Sequence, residues 1–453
     1  IAQECEKVMN QTNEHVTIHH ETDQPETVSH AAGEPPADLK RTVIHNLHRL
    51  RSGIKWILIA IVTGLVVGGV GIAFSYAMSF ATASQSLYPW LLFFLPLAGI
   101  LIVSWYYLFH DKHDQGTNLV ISAIHSGEEV PLKMAPLIFV ATVLTHLCGG
   151  SAGREGAALQ IGASIGNWIG NVFHFNENDK RVMIMCGMSA CFSALFGTPM
   201  AAAIFSMEVV SVGVMYYAAL VPCVIASFVA HSLAAMCGVG WEVFPVAAPA
   251  FTIKSACLTG ILAILCACVS VLFCEILHRT AHFFRAHVSN HFLRTTVGGL
   301  LIIALTLLVG NRDYNGAGMQ VIARCFETGT VFPGAFLLKM VFTAITLACC
   351  YKGGEIVPTF YVGATFGCLF AMVTGFDAPL CIAVGMGSLF CGVTNSPIAS
   401  LLICFELFGY DGMPFYLLAI ALSYMLSGYH GLYSSQKILY SKFKTTYIDR
   451  KAL

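Results

Sequence analysis

Three glycine-rich stretches stand directly before apolar segments, and together they could form a binding site for a small anion. They lie at residues 115–118, 149–156 and 353–358. Glycine lets the backbone turn sharply and lets a ligand approach the chain closely. A helix N-terminus presents free N–H groups and about half a positive charge, so three converging ends would hold an anion without a lysine. Packing of helices through small residues is the alternative for any single stretch.

The elements that carry these stretches are expected to lie in a membrane, because the composition is too apolar for a soluble protein. Of 453 residues, 56% are hydrophobic and 11% are charged, against about a quarter charged in soluble chains. From Trp56 to His110 there is no Asp, Glu, Lys or Arg, which is too long for one span of about 20 residues. This excludes a disordered protein, a nucleic-acid binder with a basic face and almost any cytosolic enzyme. It predicts an all-α polytopic membrane protein.

Charged residues at the two ends predict the orientation of the chain. Residues 1–50 are polar and acidic, and we expect them to form a disordered cytoplasmic tail. Basic residues before the first span, such as Arg49 and Arg51, and after the last, such as Lys442 and Lys444, favour a cytoplasmic location for both termini. The chain ends shortly after its last apolar segment, so no C-terminal regulatory domain is expected.

Motifs recur in the same order about 200 residues apart, which indicates two related halves. A Gly-Gly pair at 149–150 recurs at 353–354, and a Pro-x8-Glu element at 199–208 recurs at 397–406. Several apolar segments are short and interrupted by Gly or Pro, as expected for helices that line a cavity at membrane depth. A transporter with its site where two halves meet is therefore predicted. The predicted halves are residues 51–250 and 251–453.

Four motifs resemble those of the CLC family of chloride channels and anion/proton antiporters. They are GREG at 153–156, GGEIVP at 353–358, the repeated Pro-x8-Glu element and LYSS at 432–435. The resemblance extends over about residues 50–445. It implies an all-α membrane fold of two inverted-topology halves built from tilted and broken helices. It also implies a homodimer in which each subunit has its own pore.

The GREG motif implies the residue that couples anion movement to proton movement. Glu155 matches the gating glutamate of the family, whose carboxylate competes with the anion for one site and carries a proton when it swings away. Ionised Glu155 and an anion cannot share this site, because their repulsion costs several kcal/mol at low effective dielectric. Its neighbours Arg154 and Gly156 are expected to belong to the same anion site.

The other motifs imply the groups that bind the anion. Tyr433 matches a tyrosine whose hydroxyl points at the central anion, and Thr117, directly after Gly116, matches a serine that coordinates it from the opposite helix end. The backbone amides of Ile356 and Val357 match those of the third helix end. The ligand is therefore expected to be a fluoride or chloride ion, with no cofactor and no metal.

Two departures from the common pattern indicate the branch of the family. The internal proton-transfer glutamate of chloride/proton antiporters falls on Val209, and the third motif gains Glu355. GREGAALQ, GGE and SSQK together resemble the fluoride/proton antiporter branch, which lacks the internal glutamate and has an acidic residue in its third motif. Glu355 is thus predicted to be a second proton-handling group. Thr117 fits this branch less well, since chloride-type sites use a hydroxyl there.

The remaining ionisable residues near apolar segments are expected to have structural roles. Glu208 and Glu406 end short apolar helices and are expected to be structural or to lie at a membrane face. Lys254 and Lys339 lie near segment ends, where a long side chain can extend its charge to the membrane surface.

Together these residues predict an anion/proton antiporter that exports fluoride in exchange for protons. Its partners would be a halide anion, the proton and the lipid bilayer of a bacterial inner membrane, with no nucleic acid. A chloride channel or a chloride/proton antiporter of the same fold is the alternative. An intramembrane enzyme is disfavoured, because the sequence has no HExxH motif and no close Asp pair in its spans. An amino-acid transporter with broken helices fits the composition but not the GREG and GGE motifs.

Overall fold

Helices form nearly all the regular structure in residues 37–110 and 115–453, the parts of the chain that this computed structural model describes. In chain order the α-helices are α1 Ala37–Leu87, α2 Leu95–Leu108, α3 Thr117–Ser126, α4 Met134–Leu147, α5 Glu155–Val172, α6 Glu177–Phe196, α7 Pro199–Glu208, α8 Leu220–Met236, α9 Ile253–His287, α10 His291–Val309, α11 Met319–Thr328, α12 Ala335–Ala348, α13 Ile356–Thr374, α14 Ala378–Thr394, α15 Pro397–Phe408 and α16 Met413–Leu426. Short 3-10 helices, Pro89–Phe94 and Tyr217–Ala219, precede α2 and α8.

The N-terminal tail predicted at residues 1–50 is only partly within the described residues. Residues 1–36 lie outside them. Residues 37–87 form one continuous helix, α1, which includes the first apolar span. Leucine, lysine and arginine, which favour helix, dominate its first turns. Gly53–Leu453 forms one compact unit, and the described residues before Gly53 belong to a separate one.

Six helical segments of the described residues are long and apolar enough to cross a membrane. They are Leu50–Leu87, Pro89–Leu108, Tyr217–Met236, Ile253–His287, His291–Val309 and Ile356–Thr374. Further apolar helices of 10–17 residues are shorter than the roughly 20 residues of a full crossing. The ends of such short helices must be covered by protein, because lipid cannot satisfy free backbone groups. The prediction of an all-α polytopic fold with broken helices is confirmed.

The internal repeat is visible in the order and length of the helices. Helices α3 and α11 have ten residues each, and α4 and α12 have 14 residues each. The longer α5 and α13 follow them, and the short α7 and α15 each begin at a proline, Pro199 and Pro397. Proline suits the first helical position, where its missing N–H has no intrahelical partner.

Reciprocal contacts between α7 and α15 relate the two halves. The carboxylate of Glu208, at the end of α7, accepts hydrogen bonds from the backbone N–H groups of Ile398 (3.0 Å) and Ala399 (2.8 Å) at the start of α15. Glu406 makes the same two bonds to the start of α7, at 2.8 and 3.0 Å. Each carboxylate therefore caps the positive end of the opposite helix. The structural role predicted for both glutamates agrees with these contacts.

Lys339 departs from the expectation that it extends to the membrane surface. Its side chain in α12 is fully buried. The ammonium donates to the backbone oxygens of Tyr314 (3.2 Å) and Gly316 (2.7 Å) and lies 5.1 Å from the ring centre of Tyr361. These groups replace water around the charge, and the turn before α11 supplies two of them. The prediction for Lys339 was wrong.

A small sheet joins the C-terminal segment to the first half of the chain. Its strands are β1 Ser211–Val212, β2 Lys437–Tyr440 and β3 Tyr447–Lys451. Strand β2 pairs in parallel with β1 and antiparallel with β3. Directly before β2, the buried side chain of Gln436 donates to the backbone oxygens of Val209 and Thr394, both at 2.8 Å. These bonds hold the loop that carries Tyr433.

Candidate functional site

Helices α5 and α13 begin beside each other at a short backbone bridge. The N–H of Gly153 donates to the oxygen of Gly354 at 2.6 Å, and the N–H of Gly354 donates to the oxygen of Gly153 at 2.7 Å. A side chain at Gly354 would collide with the backbone nitrogen of Gly156, so only glycine permits this approach. Two helix N-termini with free N–H groups therefore face a common point.

The carboxylate of Glu155 lies at this meeting point. Its side chain is fully buried, and Oε2 accepts a hydrogen bond from the backbone N–H of Arg154 at 3.0 Å. The Arg154 Nε lies 3.8 Å from Oε1. Oε1 is buried and has no hydrogen-bond partner among the described residues. Glu155 thus places a carboxyl group where two helix ends favour an anion.

Helix α3 brings a third N-terminus to the cluster. Gly116, before this helix, has φ of +59°, a conformation that favours glycine. The hydroxyl of Thr117, the first residue of α3, accepts a hydrogen bond from Nε2 of Gln160 at 3.3 Å. A methyl group built on Gly156 would lie 3.5 Å from Thr117 Oγ1 and 3.7 Å from Oε2 of Glu355. The Thr117 hydroxyl and the Glu355 carboxylate therefore border the same small space.

Tyr433 is also close to this space. Its side chain is 2% exposed, and its hydroxyl has no hydrogen-bond partner among the described residues. Burial, and then the nearby carboxylates of Glu355 and Glu155, raise the pKa of this hydroxyl above its ordinary value. Asn118 links the Tyr433 loop to α3, because its Oδ1 accepts a hydrogen bond from the backbone N–H of Ser435 at 3.0 Å.

These groups together can bind a small anion and hold a proton. The helix ends, the Thr117 hydroxyl and the Tyr433 hydroxyl are hydrogen-bond donors. Glu155 and Glu355 are carboxylates on the facing ends of α5 and α13, and either can take a proton when an anion is near. The predicted backbone donors at Ile356 and Val357 lie in the buried first turn of α13. The structure thus brings the sequence-predicted site residues into one cluster.

A cavity of about 700 Å³ adjoins this cluster. Glu355 lines the cavity, and so do Gln115, Asn118, Ser434 and Ser435, the neighbours of Thr117 and Tyr433. The basic residues of its wall are Arg285, Arg294 and Lys352. Of the described residues that line the cavity, these cations outnumber the single carboxylate, so the cavity favours the approach of anions.

Gln160, the last residue of the GREGAALQ motif at 153–160, is a site residue for which no role was predicted. It follows Gly156 by four residues in α5, and residues four apart lie on the same helix face. That spacing is the signal in the sequence that could have identified it. The contact with Thr117 itself joins residues far apart in the chain, and no local pattern encodes such a contact.

Known proteins are similar to this chain over most of its length. Residues 98–428 match the family model described as voltage gated chloride channel. A chloride/fluoride channel protein of Pseudomonas syringae pv. tomato is 34% identical over 400 residues, which cover 86% of this chain and 87% of that protein.

Solved structures agree with this match. The crystal structure of a CLC-type fluoride/proton antiporter has a TM-score of 0.82 and 31% sequence identity, covering 85% of this chain and 98% of that one. The structure of a slow cyanobacterial Cl⁻/H⁺ antiporter shares the fold, with a TM-score of 0.71 and 19% identity, covering 82% of this chain and 94% of that one. The chain therefore belongs to the CLC family of voltage-gated chloride channels and related ion transporters.

Proposed function

We propose that this protein is an anion/proton antiporter that exports fluoride in exchange for protons. The observation that carries the proposal is the meeting of two carboxylates with anion-binding helix ends. Glu155 and Glu355 stand at the facing N-termini of α5 and α13, and the Thr117 hydroxyl borders the same space. A passive anion pore would need the donors but not two acids that can carry protons.

In this proposal the anion occupies the place that the Glu155 carboxylate holds in the structure. The amides at the starts of α5 and α13, including those of Gly156, Ile356 and Val357, would donate to the anion. The hydroxyls of Thr117 and Tyr433 would donate from the other side, and Gly116 would let the chain turn sharply before Thr117. Arg154 would keep the local potential positive.

Anion movement and proton movement would be coupled because the anion and the ionised Glu155 carboxylate cannot occupy the site together. When Glu155 is ionised it fills the site, and the arriving anion repels it. A displaced carboxylate takes a proton, because protonation removes the repulsion. Each anion that passes is then linked to a proton bound or released by Glu155.

Glu355 would receive the proton on the side of the cavity. Its side chain lines the cavity and borders the space beside Gly156. Val209 is fully buried and has no ionisable group, so the internal route used by chloride/proton antiporters has no acid here. Glu355 is therefore the second proton-handling group in this proposal.

Fluoride is the anion that the donor set and the relatives favour. Fluoride is a small, strong hydrogen-bond acceptor, and it needs several close donors to replace its hydration. Amides and two hydroxyls provide them. The relative at 34% identity is a chloride/fluoride channel protein, and the solved structure at 31% identity is a fluoride/proton antiporter.

A chloride channel or a chloride/proton antiporter of the same fold is the second candidate. The observation that favours chloride is Thr117, because its hydroxyl is the group typical of chloride-type sites. The name of the relative at 34% identity also includes chloride.

Flux measurements on reconstituted vesicles would separate these candidates. Vesicles would be loaded with fluoride or with chloride, and anion release and proton uptake would be followed together. The proposal expects fluoride to leave faster than chloride and to drive protons inward against a pH gradient. A reversal potential that ignores the pH gradient would indicate a channel, and coupled chloride transport that excludes fluoride would indicate a chloride/proton antiporter.

The proposal includes a homodimer in a bacterial plasma membrane, with one pore in each subunit and both termini in the cytoplasm. The homodimer is an implication of membership in the CLC family. The bacterial relative supports the plasma membrane, and the basic residues near both termini support their cytoplasmic location. Mixed dimers with one wild-type and one Glu155→Gln subunit would test independent pores. They should keep about half of the coupled transport of the wild type, since each pore would work alone. Complete loss of coupling in the mixed dimer would contradict independent pores.

A further inference from the structure

The side-chain amide of Gln160 lies against the predicted anion site. Gln160 is 3% exposed, and it lies on the face of α5 that also carries Gly156. Its Nε2 donates to Thr117 Oγ1 at 3.3 Å and lies 3.6 Å from the place of a methyl group on Gly116. The amide therefore contacts the first turn of α3 from inside the protein.

The hydrogen bond from Gln160 determines whether the Thr117 hydroxyl can donate its hydrogen to an anion. A hydroxyl has one hydrogen to donate and lone pairs that accept. Because Gln160 donates, a lone pair of Thr117 Oγ1 is occupied, and the hydroxyl hydrogen is left for another acceptor. The space bordered by Thr117, Gly156 and Glu355 is where an anion could accept it.

The other end of the same amide has no partner. Oε1 of Gln160 is buried and accepts no hydrogen bond from the described residues. A buried acceptor without a donor is unfavourable, so this oxygen points to a donor that arrives with the ligand, such as a water molecule. If the amide were rotated by 180°, Oε1 would take the place of Nε2 and would accept the hydrogen bond from Thr117. The hydroxyl hydrogen would then point away from the anion.

We propose that Gln160 is a positioning residue that directs the Thr117 hydroxyl to the anion and thereby sets the preference between chloride and fluoride. The proposal rests on the proposed anion site. The resemblance to the CLC family associates a hydroxyl at this position with chloride-type sites, so the binding of chloride is expected to depend on the Thr117 hydroxyl more than the binding of fluoride does. Loss of the Gln160 contact should therefore weaken chloride binding more than fluoride binding.

A double-mutant cycle tests this role. Gln160→Met keeps the length of the side chain but cannot donate, and Thr117→Val removes the hydroxyl at nearly the same volume. Chloride and fluoride dissociation constants would be measured by calorimetry for both single variants, the double variant and the wild type. Gln160→Met should lower the preference for chloride over fluoride by about 2- to 13-fold, the worth of one neutral hydrogen bond. In the Thr117→Val background the same change should leave this ratio unaltered.

A matched control separates positioning from general damage to α5. Asn167 lies in the same helix, is 5% exposed and donates to the backbone oxygen of Val130 at 3.0 Å. Asn167→Leu should lower thermal stability and leave the anion ratio unchanged. An equal loss of both anions in Gln160→Met, or the same ratio change without the Thr117 hydroxyl, would overturn the proposal.

A second variant covers the case in which Gln160→Met does not fold. Gln160→Leu also removes the amide and replaces it with a branched, uncharged side chain. It should lower the preference for chloride over fluoride in the wild-type background and leave this ratio unaltered in the Thr117→Val background; any other pattern would overturn the proposal. Failure of the wild type to couple fluoride to protons would instead contradict the proposed function, and the anion ratio would still report on Gln160.

Discussion

At the scale of single residues, the site contains buried polar atoms that lack a protein partner. The Tyr433 hydroxyl and Oε1 of Gln160 are both buried, and neither has a hydrogen-bond partner among the described residues. Removing such atoms from water without replacing their hydrogen bonds is unfavourable. In the proposed mechanism, a bound anion would accept a hydrogen bond from the Tyr433 hydroxyl, and a water molecule that accompanies it would donate to Oε1 of Gln160.

Tyr433→Phe should weaken anion binding without abolishing transport. The change removes one hydrogen bond to the anion and leaves no protein group newly unpaired. A hydrogen bond to a charged group is worth about 1.5–3 kcal/mol, which corresponds to a roughly 13- to 160-fold weaker dissociation constant. Calorimetric titration with fluoride would measure it. Complete loss of transport by a folded variant would mean that Tyr433 does more than donate to the anion.

Glu355→Gln should impair proton movement more than anion binding. The amide keeps the shape of the side chain but cannot carry a proton, so fluoride-driven proton uptake should fall by more than about tenfold. The fluoride dissociation constant should change far less, because Glu355 does not donate to the anion. Vesicle pH measurements and calorimetry would provide the two values.

The control for this variant is Glu128→Gln, which changes an exposed carboxylate. It should leave both quantities as they are in the wild type. Undiminished proton uptake in Glu355→Gln would return Glu355 to a structural role and require a proton route through water alone.

At the scale of elements, the candidate site is organised by the meeting of helix ends. The starts of α5 and α13 meet at the Gly153–Gly354 bridge, and the starts of α7 and α15 are each capped by a carboxylate from the other. Free N–H groups at buried helix ends must find partners. In the first pair the partner can be the transported anion, and in the second it is a permanent carboxylate.

Glu208→Gln should destabilise the protein and leave coupling intact. The carboxylate accepts two backbone N–H bonds at the start of α15, whereas an amide has one oxygen and turns its NH₂ group towards a donor. Hydrogen bonds to a charged group are worth about 1.5–3 kcal/mol each, so the unfolding temperature in detergent should fall by several degrees. The number of protons moved per fluoride should stay the same; a changed ratio would place Glu208 in the proton route.

Much of this element-level organisation could be predicted from the sequence. Helices begin at Thr117, Glu155 and Ile356, within the three glycine-rich stretches, because glycine and the following apolar run mark each start. The burial of Lys339 could not be predicted, since its partners are backbone oxygens of a preceding turn. Hydropathy reports the cost of burying a charge but does not show which carbonyls surround it.

At the scale of the whole molecule, the candidate site combines residues from both repeated sets of helices. Glu155 comes from the first half and Glu355 from the second, and the C-terminal loop adds Tyr433. The sequence shows the repeat, because its motifs recur in a constant order. The sequence does not show that the two halves are inverted, because inversion depends on the relative direction of helices that are far apart in sequence. The small sheet was not predicted either, since β1 has two residues and its partner strand β2 follows more than 200 residues later.

Vesicles that contain Glu155→Gln show whether Glu155 couples fluoride to protons, when their proton uptake is measured under a fluoride gradient. The amide keeps the buried shape at the start of α5 but cannot ionise or carry a proton. We expect no proton uptake, and any fluoride movement that survives should be passive and independent of pH. If Glu155 were only a helix cap, the variant would instead lose about 0.5–2 kcal/mol of stability with coupling unchanged. Persistent uptake of protons by the folded variant would contradict the antiport mechanism proposed for this protein.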